Sequence, residues 1–304
     1  MKIWGVNFLL YCLLLFPSCD DKQEKLLVSG CGWKQVSILD KASGKIEWTH
    51  PLQPGEDCND VELTAEGNIL YAYTTGARLI NRQQEILWDF KADEKEELYT
   101  ATQLTDGKYL LALCGNPSRI IELSADDKPI YELTFDTSIA DIHSQFRQIV
   151  KTPENTYLIP LMGRGEVIEM SRQGEVLKRI PCGGTPFSVQ ILTNGNWLVS
   201  CGDGHKLEEL NPRTGLSDRT VQSGQLEGNP LLFVAEAIRY PNGNTLISNW
   251  NGHTNDKTQP LLLEIDSLNY TVWELPHNPE IVNISTVYSL SLIHISEPTR
   301  RTPI

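Results

Sequence analysis

The chain has 304 residues, 40% of them hydrophobic, and its 39 acidic against 26 basic side chains give a net charge of −13. That apolar content excludes a disordered polypeptide and is enough for a large core. The acidic balance argues against nucleic acid as a partner, because a negative surface repels phosphate and no basic stripe offsets it.

Residues 1–19 differ from everything after them. Lys2 supplies positive charge, and residues 8–16 form an apolar run of nine, too short to span a bilayer but suited to the core of a signal peptide. Phe16-Pro17-Ser18-Cys19 sets a small residue directly before a cysteine and resembles a bacterial lipobox. Cleavage there leaves Cys19 as a lipidated N-terminus, with residues 20–25 as a polar tether. The expectation is an exported lipoprotein facing the periplasm or the cell exterior, touching the membrane only through that anchor. The alternative is an ordinary signal peptide with Cys19 incidental. Cys31, Cys58, Cys114, Cys182 and Cys201 show no zinc-site spacing and read as buried thiols acting as small hydrophobes.

From residue 26 one phrase recurs: a short strand, a turn, an apolar strand, a glycine, a strand ending in an acidic residue, then another turn. The first turn appears as Ala65-Glu66-Gly67-Asn68, Thr105-Asp106-Gly107-Lys108, Pro153-Glu154-Asn155-Thr156, Thr193-Asn194-Gly195-Asn196 and Pro241-Asn242-Gly243-Asn244. Asp-Gly and Asn-Gly mark hairpins because such turns need positive φ. The apolar strands align on Leu70, Leu110, Leu158, Leu198 and Leu246, which lie 40, 48, 40 and 48 residues apart. That period fits the four-stranded blade of a β-propeller. Third strands carry Glu122, Glu169, Glu209 and Glu264, a repetition that argues for structure over catalysis. Fourth strands carry Trp48, Trp88 and Trp273, expected to pack between neighbouring blades.

Blade one opens at its second strand, with residues 26–32, 36–40 and 45–48 as strands two to four. Residues 282–288 read as the missing first strand, which closes the ring. The expected fold class is all-β: a six-bladed β-propeller of four antiparallel strands per blade over residues 26–288, with seven blades as the alternative. Residues 291–304 read SLIHISEPTRRTPI and resemble a translated sequencing-adapter tail. Residues 289–304 are therefore set apart as non-native, and His294 enters no argument about a site.

The stretch Asp40-Lys41-Ala42-Ser43-Gly44-Lys45-Ile46-Glu47-Trp48 resembles the repeat of PQQ-dehydrogenase-type propellers. Residues 26–288 as a whole resemble bacterial secreted proteins with PQQ-binding-like β-propeller repeats. The resemblance implies the fold and not the quinone. The dehydrogenases of that type need a much longer chain, a calcium site and a vicinal cysteine pair, which this sequence does not show. No cofactor is expected.

Fold alone gives no function. In a four-stranded blade the segment entering strand one and the loop between strands two and three open on one face, where propeller ligands usually bind. The candidates on that face are Trp33, Asp60, His143, Arg147, Phe187, His205, Glu236, Trp250 and His253. Trp33, Phe187 and Trp250 could stack on sugar rings while the polar groups bind hydroxyls. His143, His205 and His253 are weak candidates for a metal, or for a general base beside Asp60 or Glu236. The plain alternative is that each histidine bonds loop backbone. The expected function is non-catalytic binding of a carbohydrate, peptide or partner protein at the channel mouth. The rivals are a carbohydrate-active lyase or hydrolase on the same face, metal-assisted, and a protein–protein scaffold.

Overall fold

The computed structural model describes residues 24–254 and 257–290. Among these, six four-stranded antiparallel sheets follow one another around a central channel. Three short 3₁₀ helices, Ile142–Ser144, Met162–Arg164 and Ser223–Gln225, punctuate the strands. The leader with Cys19, tether residues 20–23 and residues 291–304 lie outside the described residues.

Blades two to six start at an inner strand beside the channel: Cys58–Leu63, Glu97–Gln103, Val150–Lys151, Ser188–Ile191 and Phe233–Arg239. Blade one is split. Its inner strand, Thr286–Ser289, pairs antiparallel with Lys25–Gly30 in a register running from Leu26↔Ser289 to Ser29↔Thr286. The six blades and the closing strand expected from the repeat are both present. The turns that end the inner strands have the backbone sign the sequence demands. Gly67, Gly107, Gly195 and Gly243 have φ of +81°, +78°, +85° and +91°, and Asn155 takes the same place in blade four at +63°. Glycine adopts that region without penalty, and asparagine tolerates it.

The core lies between blades. Leu70, Leu79 and Trp88 of blade two pack against Leu98, Leu111 and Ile121 of blade three. Equivalent clusters join blades three to four, four to five, five to six, six to one and one to two. Hydrophobic stabilisation scales with apolar area removed from water, so an unclosed ring would leave two such faces wet. The sandwiched middle strands Ile69–Tyr73 and Tyr109–Cys114 are accordingly buried throughout, whereas the outer strand Val176–Pro181 is mostly exposed.

Polar contacts reinforce each seam. Trp48 Nε1 donates to the Arg82 carbonyl of the next blade at 3.3 Å, and Trp88 lies 5.2 Å from the Tyr109 ring. Glu122 in blade three meets Lys151 and Arg172 of blade four at 2.7 and 2.6 Å. Glu264 in blade six meets Lys41 of blade one at 2.5 Å. Glu209 of blade five likewise meets Arg239 of blade six at 3.7 Å, so three of the four recurring glutamates clasp neighbouring blades, while Glu169 pairs with Lys178 of its own blade at 2.5 Å. The closing strand is held by Val61 N donating to Thr286 Oγ1 at 3.2 Å and Ser285 N donating to Ser29 O at 3.0 Å. Gly30 makes this seam possible, since a Cβ there would stand 2.7 Å from Ser285 N. Just before the first described strand, Glu24 Oε1 accepts from Tyr240 Oη at 2.7 Å.

Candidate functional site in the central channel

The inner strands alternate in polarity. Asp60 and Glu62, Thr100 and Thr102, and Ser188 and Gln190 stand two residues apart, with Gln148 and Glu236 completing the set. Side chains two apart on a strand share a face, and here that face turns to the axis. Together they line a cavity of about 700 Å³. Its wall continues to Thr105, Asp106, Pro153 and Asn155, in the turns that end the inner strands. The cavity therefore opens on the turn-bearing face, opposite the loops between second and third strands.

Three carboxyls set its chemistry. Asp60 Oδ1 accepts from Gln148 Nε2 at 3.0 Å, and its Oδ2 accepts from Ala101 N at 3.1 Å. Glu236 Oε2 accepts from Val287 N at 2.7 Å. Glu62 Oε2 accepts from the Thr102 hydroxyl and, at 3.2 Å, from Gln103 N. Burial drives the Asp60 carboxyl well above the usual range, and the charge of Glu236 adds to it. Burial likewise pushes Glu62 and Glu236 up to about 7, although backbone and hydroxyl donors pull the other way. Desolvation penalises the charged form, and no cation offsets it here. Lys151, the lysine of the lining, is held by Glu122 at 2.7 Å. The site thus offers amides, hydroxyls and protonatable carboxyls to a ligand, and proton exchange near neutrality.

The nine residues singled out in the sequence fall into separate places. Asp60 and Glu236 line the cavity. Trp33 does not reach a mouth: it is 3% exposed, packs in the core between blades six and one, and donates from Nε1 to Glu280 O at 3.1 Å. Arg147 is buried, lies 3.8 Å over the Tyr99 ring, and donates from Nη1 to the His143 and Phe146 carbonyls at 2.7 and 2.9 Å. His143 Nδ1 sits 2.9 Å from Tyr99 Oη and 3.1 Å from Glu97 Oε2. Phe187, Phe233, Trp250 and His253 form an aromatic chain, with His253 Nδ1 at 3.1 Å from Asp203 Oδ1. His205 Nδ1 meets the Leu232 carbonyl instead. The three histidines therefore have three different partners. Among the described residues, no three His, Cys, Asp or Glu side chains converge as a metal site requires.

Glu62, Thr102, Gln148, Gln190 and Tyr288 were not singled out, yet all line the cavity. The signal that marks most of them is the polar residue at every second place of an inner strand.

Comparison with solved structures agrees with this architecture. A protein of unknown function from Bacteroides caccae is 38% identical and superposes with a TM-score of 0.84, over 88% of this chain and 98% of its own. A catalytically inactive virginiamycin B lyase from Staphylococcus aureus, solved with quinupristin, reaches a TM-score of 0.57 at 11% identity, over 84% of this chain and 86% of its own. The WD40 propeller domain of Doa1 reaches 0.52 at 13% identity, over 75% and 86%. The last two are likenesses of fold alone. No curated protein matches the chain. The model of the Mal s 1 allergenic protein-like family matches residues 19–270. With that match covering most of its length, the chain belongs to the Mal s 1 allergenic protein-like family.

Proposed function

We propose that this chain is an exported, lipid-anchored propeller that binds a small polar ligand in its channel cavity without transforming it. The observation that carries the reading is the cavity of about 700 Å³ lined by Asp60, Glu62, Gln148, Gln190 and Glu236. Its size lies within the range of small-molecule sites, and a few converging polar groups are what such sites use for orientation. Carboxyls, amides and hydroxyls suit a ligand rich in hydroxyl or amino groups, so a sugar, an amino sugar or a short peptide fits better than an anion. The leader ending at Cys19 and the resemblance to bacterial secreted PQQ-type propellers support export and anchoring. The quinone itself is not part of the proposal.

Thermal-shift screening of the full chain against neutral sugars, amino sugars and short peptides tests the reading. A ligand that binds only the native state raises Tm. The expected result is a rise that Glu62→Gln and Tyr288→Phe each diminish. No rise with any class, or a rise untouched by both substitutions, overturns it.

One observation favours a second reading, a carbohydrate-active enzyme. Glu62 and Glu236 are pushed up to about 7, where a carboxyl serves as general acid and base. Mass spectrometry of the ligand after incubation separates the two: unchanged ligand supports binding, and a cleaved or rearranged product supports catalysis.

A further inference from the structure

Five free thiols lie among the described residues. Each donates to an oxygen of its surroundings. Cys31 Sγ donates to Asp57 Oδ2 at 2.8 Å, Cys58 Sγ to Asp60 O at 3.6 Å and Cys114 Sγ to Phe146 O at 3.4 Å. Cys182 and Cys201 differ. They come from neighbouring blades, four and five, and belong to one apolar cluster. Their backbones run side by side. Lys206 Nζ donates to Cys182 O at 2.7 Å, while Lys206 O accepts from Cys201 N at 3.0 Å. Gly184, two residues past Cys182, comes so close that a Cβ there would stand 2.6 Å from Cys201 O. Each thiol meets only a backbone carbonyl, Cys182 Sγ donating to Gly165 O at 3.5 Å and Cys201 Sγ to Val199 O at 3.8 Å, so no side chain holds either away from the other.

We propose that Cys182 and Cys201 form a disulfide across the seam between blades four and five once the protein has left the cytoplasm. The timing rests on the export reading above, because exported compartments are oxidising and preserve disulfides. The oxidant is a disulfide donor, either a protein or glutathione disulfide. The thiolate of one cysteine attacks a donor sulfur and gives a mixed disulfide, and the second thiolate displaces the donor. Two S–H bonds are lost and one S–S bond forms. The two electrons reduce the donor disulfide to two thiols, which take up the two protons.

Within the folded ring this exchange is slow. Cys182 is 6% exposed and Cys201 is fully buried. The neighbouring Cys182 thiol and burial together raise the Cys201 thiol well above its usual range, which starves the reaction of thiolate. The bond therefore forms as blades four and five dock, while both sulfurs are still accessible. It closes a short loop over residues 182–201, and loops of that size gain stability from constraint of the unfolded chain.

Two preparations test this: the chain expressed with its own leader in a bacterial host, and the full chain refolded from denaturant with reduced and oxidised glutathione. Both are alkylated under denaturing conditions, digested and mapped by mass spectrometry. The expected result is a cross-linked peptide joining Cys182 to Cys201 that reductant splits, with Tm falling by about 5 °C on reduction. Cys182→Ser and Cys201→Ala each abolish the cross-link, and Cys114→Ala leaves it in place. Both cysteines alkylated in the refolded chain overturn the pairing. A cross-link in the refolded chain with free thiols in the cell-derived protein supports the pairing and overturns the export reading.

Discussion

Gln148 Nε2 donates to Asp60 Oδ1 at 3.0 Å, joining blade four to blade two across the channel. The same amide also favours the ionised form of Glu236 in blade six, against the pull of burial. One side chain thus serves carboxyls of two blades from a third, and no two of the three are neighbours in the ring. It also stands between two carboxyls that burial would otherwise set against each other.

Removing that amide should cost more as the carboxyls ionise. Gln148→Ala is expected to lower stability by about 1–3 kcal/mol at pH 8, the cost of leaving buried acceptors without a donor. At pH 5 the loss should be smaller, because the protonated carboxyls need less compensation. Denaturant titrations at the two pH values measure the difference, and an equal loss at both would show that the amide only fills space.

The pH dependence has a definite sign. Glu236 is pushed up to about 7 in the fold, against about 4.3 in an unfolded chain. Between those values the native state holds the proton and the unfolded state does not, so stability falls as pH rises. The stabilisation is fully present below about pH 4 and is lost as pH passes through 7. The carboxyl edges an open cavity, so its contribution is about 1–3 kcal/mol. Glu236→Gln should have the higher Tm at pH 8 and no advantage at pH 5, read by calorimetry across that range.

Ring closure depends on a few atoms. Gly30→Ala drives a methyl against Ser285 N, which the ideal Cβ approaches to 2.7 Å. A loss of about 2–4 kcal/mol is expected, since only backbone movement relieves the clash. Thr286→Val deletes the acceptor that Val61 N uses at 3.2 Å and should cost about 1–3 kcal/mol. Both losses should appear as faster unfolding in a urea jump, with blade packing elsewhere unchanged by hydrogen exchange.

The turns and the alternating apolar strands carried the fold plainly, because a positive-φ turn and a period of two are local properties of the chain. The closing strand was legible for a related reason: residues 282–288 have the pattern of an inner strand, and blade one opens at its second strand. The site was harder. Asp60 with Glu62, or Ser188 with Gln190, reads in isolation as the wet face of an ordinary edge strand. Only when six such faces meet do they become a cavity, a property of the ring and not of any segment. Trp33 misled for the converse reason. It follows a glycine turn in the sequence, but its indole is covered by the chain around Glu280, 247 residues away.

Two faces of the propeller can be told apart by ligand protection. Glu62→Gln should lower the ligand-induced rise in Tm by half or more, while Trp250→Ala and His253→Ala, on the far face, should leave it unchanged. Protection lost only in the latter pair would move the site to the loops between second and third strands.

The contact between Glu24 and Tyr240 fixes where the chain leaves the ring, because Ser289, paired with Leu26 at this edge, lines the cavity's open end. With Cys19 acylated as proposed, only residues 20–24 separate lipid from protein, a span of at most about 18 Å when fully extended. On that proposal the opening would face the bilayer across a narrow gap. Such a gap would act as a sieve by height, letting a monosaccharide or a lipid headgroup pass beneath the ring and stopping a folded protein. The protein would sample molecules released at or diffusing along the membrane surface in preference to those arriving from bulk solution.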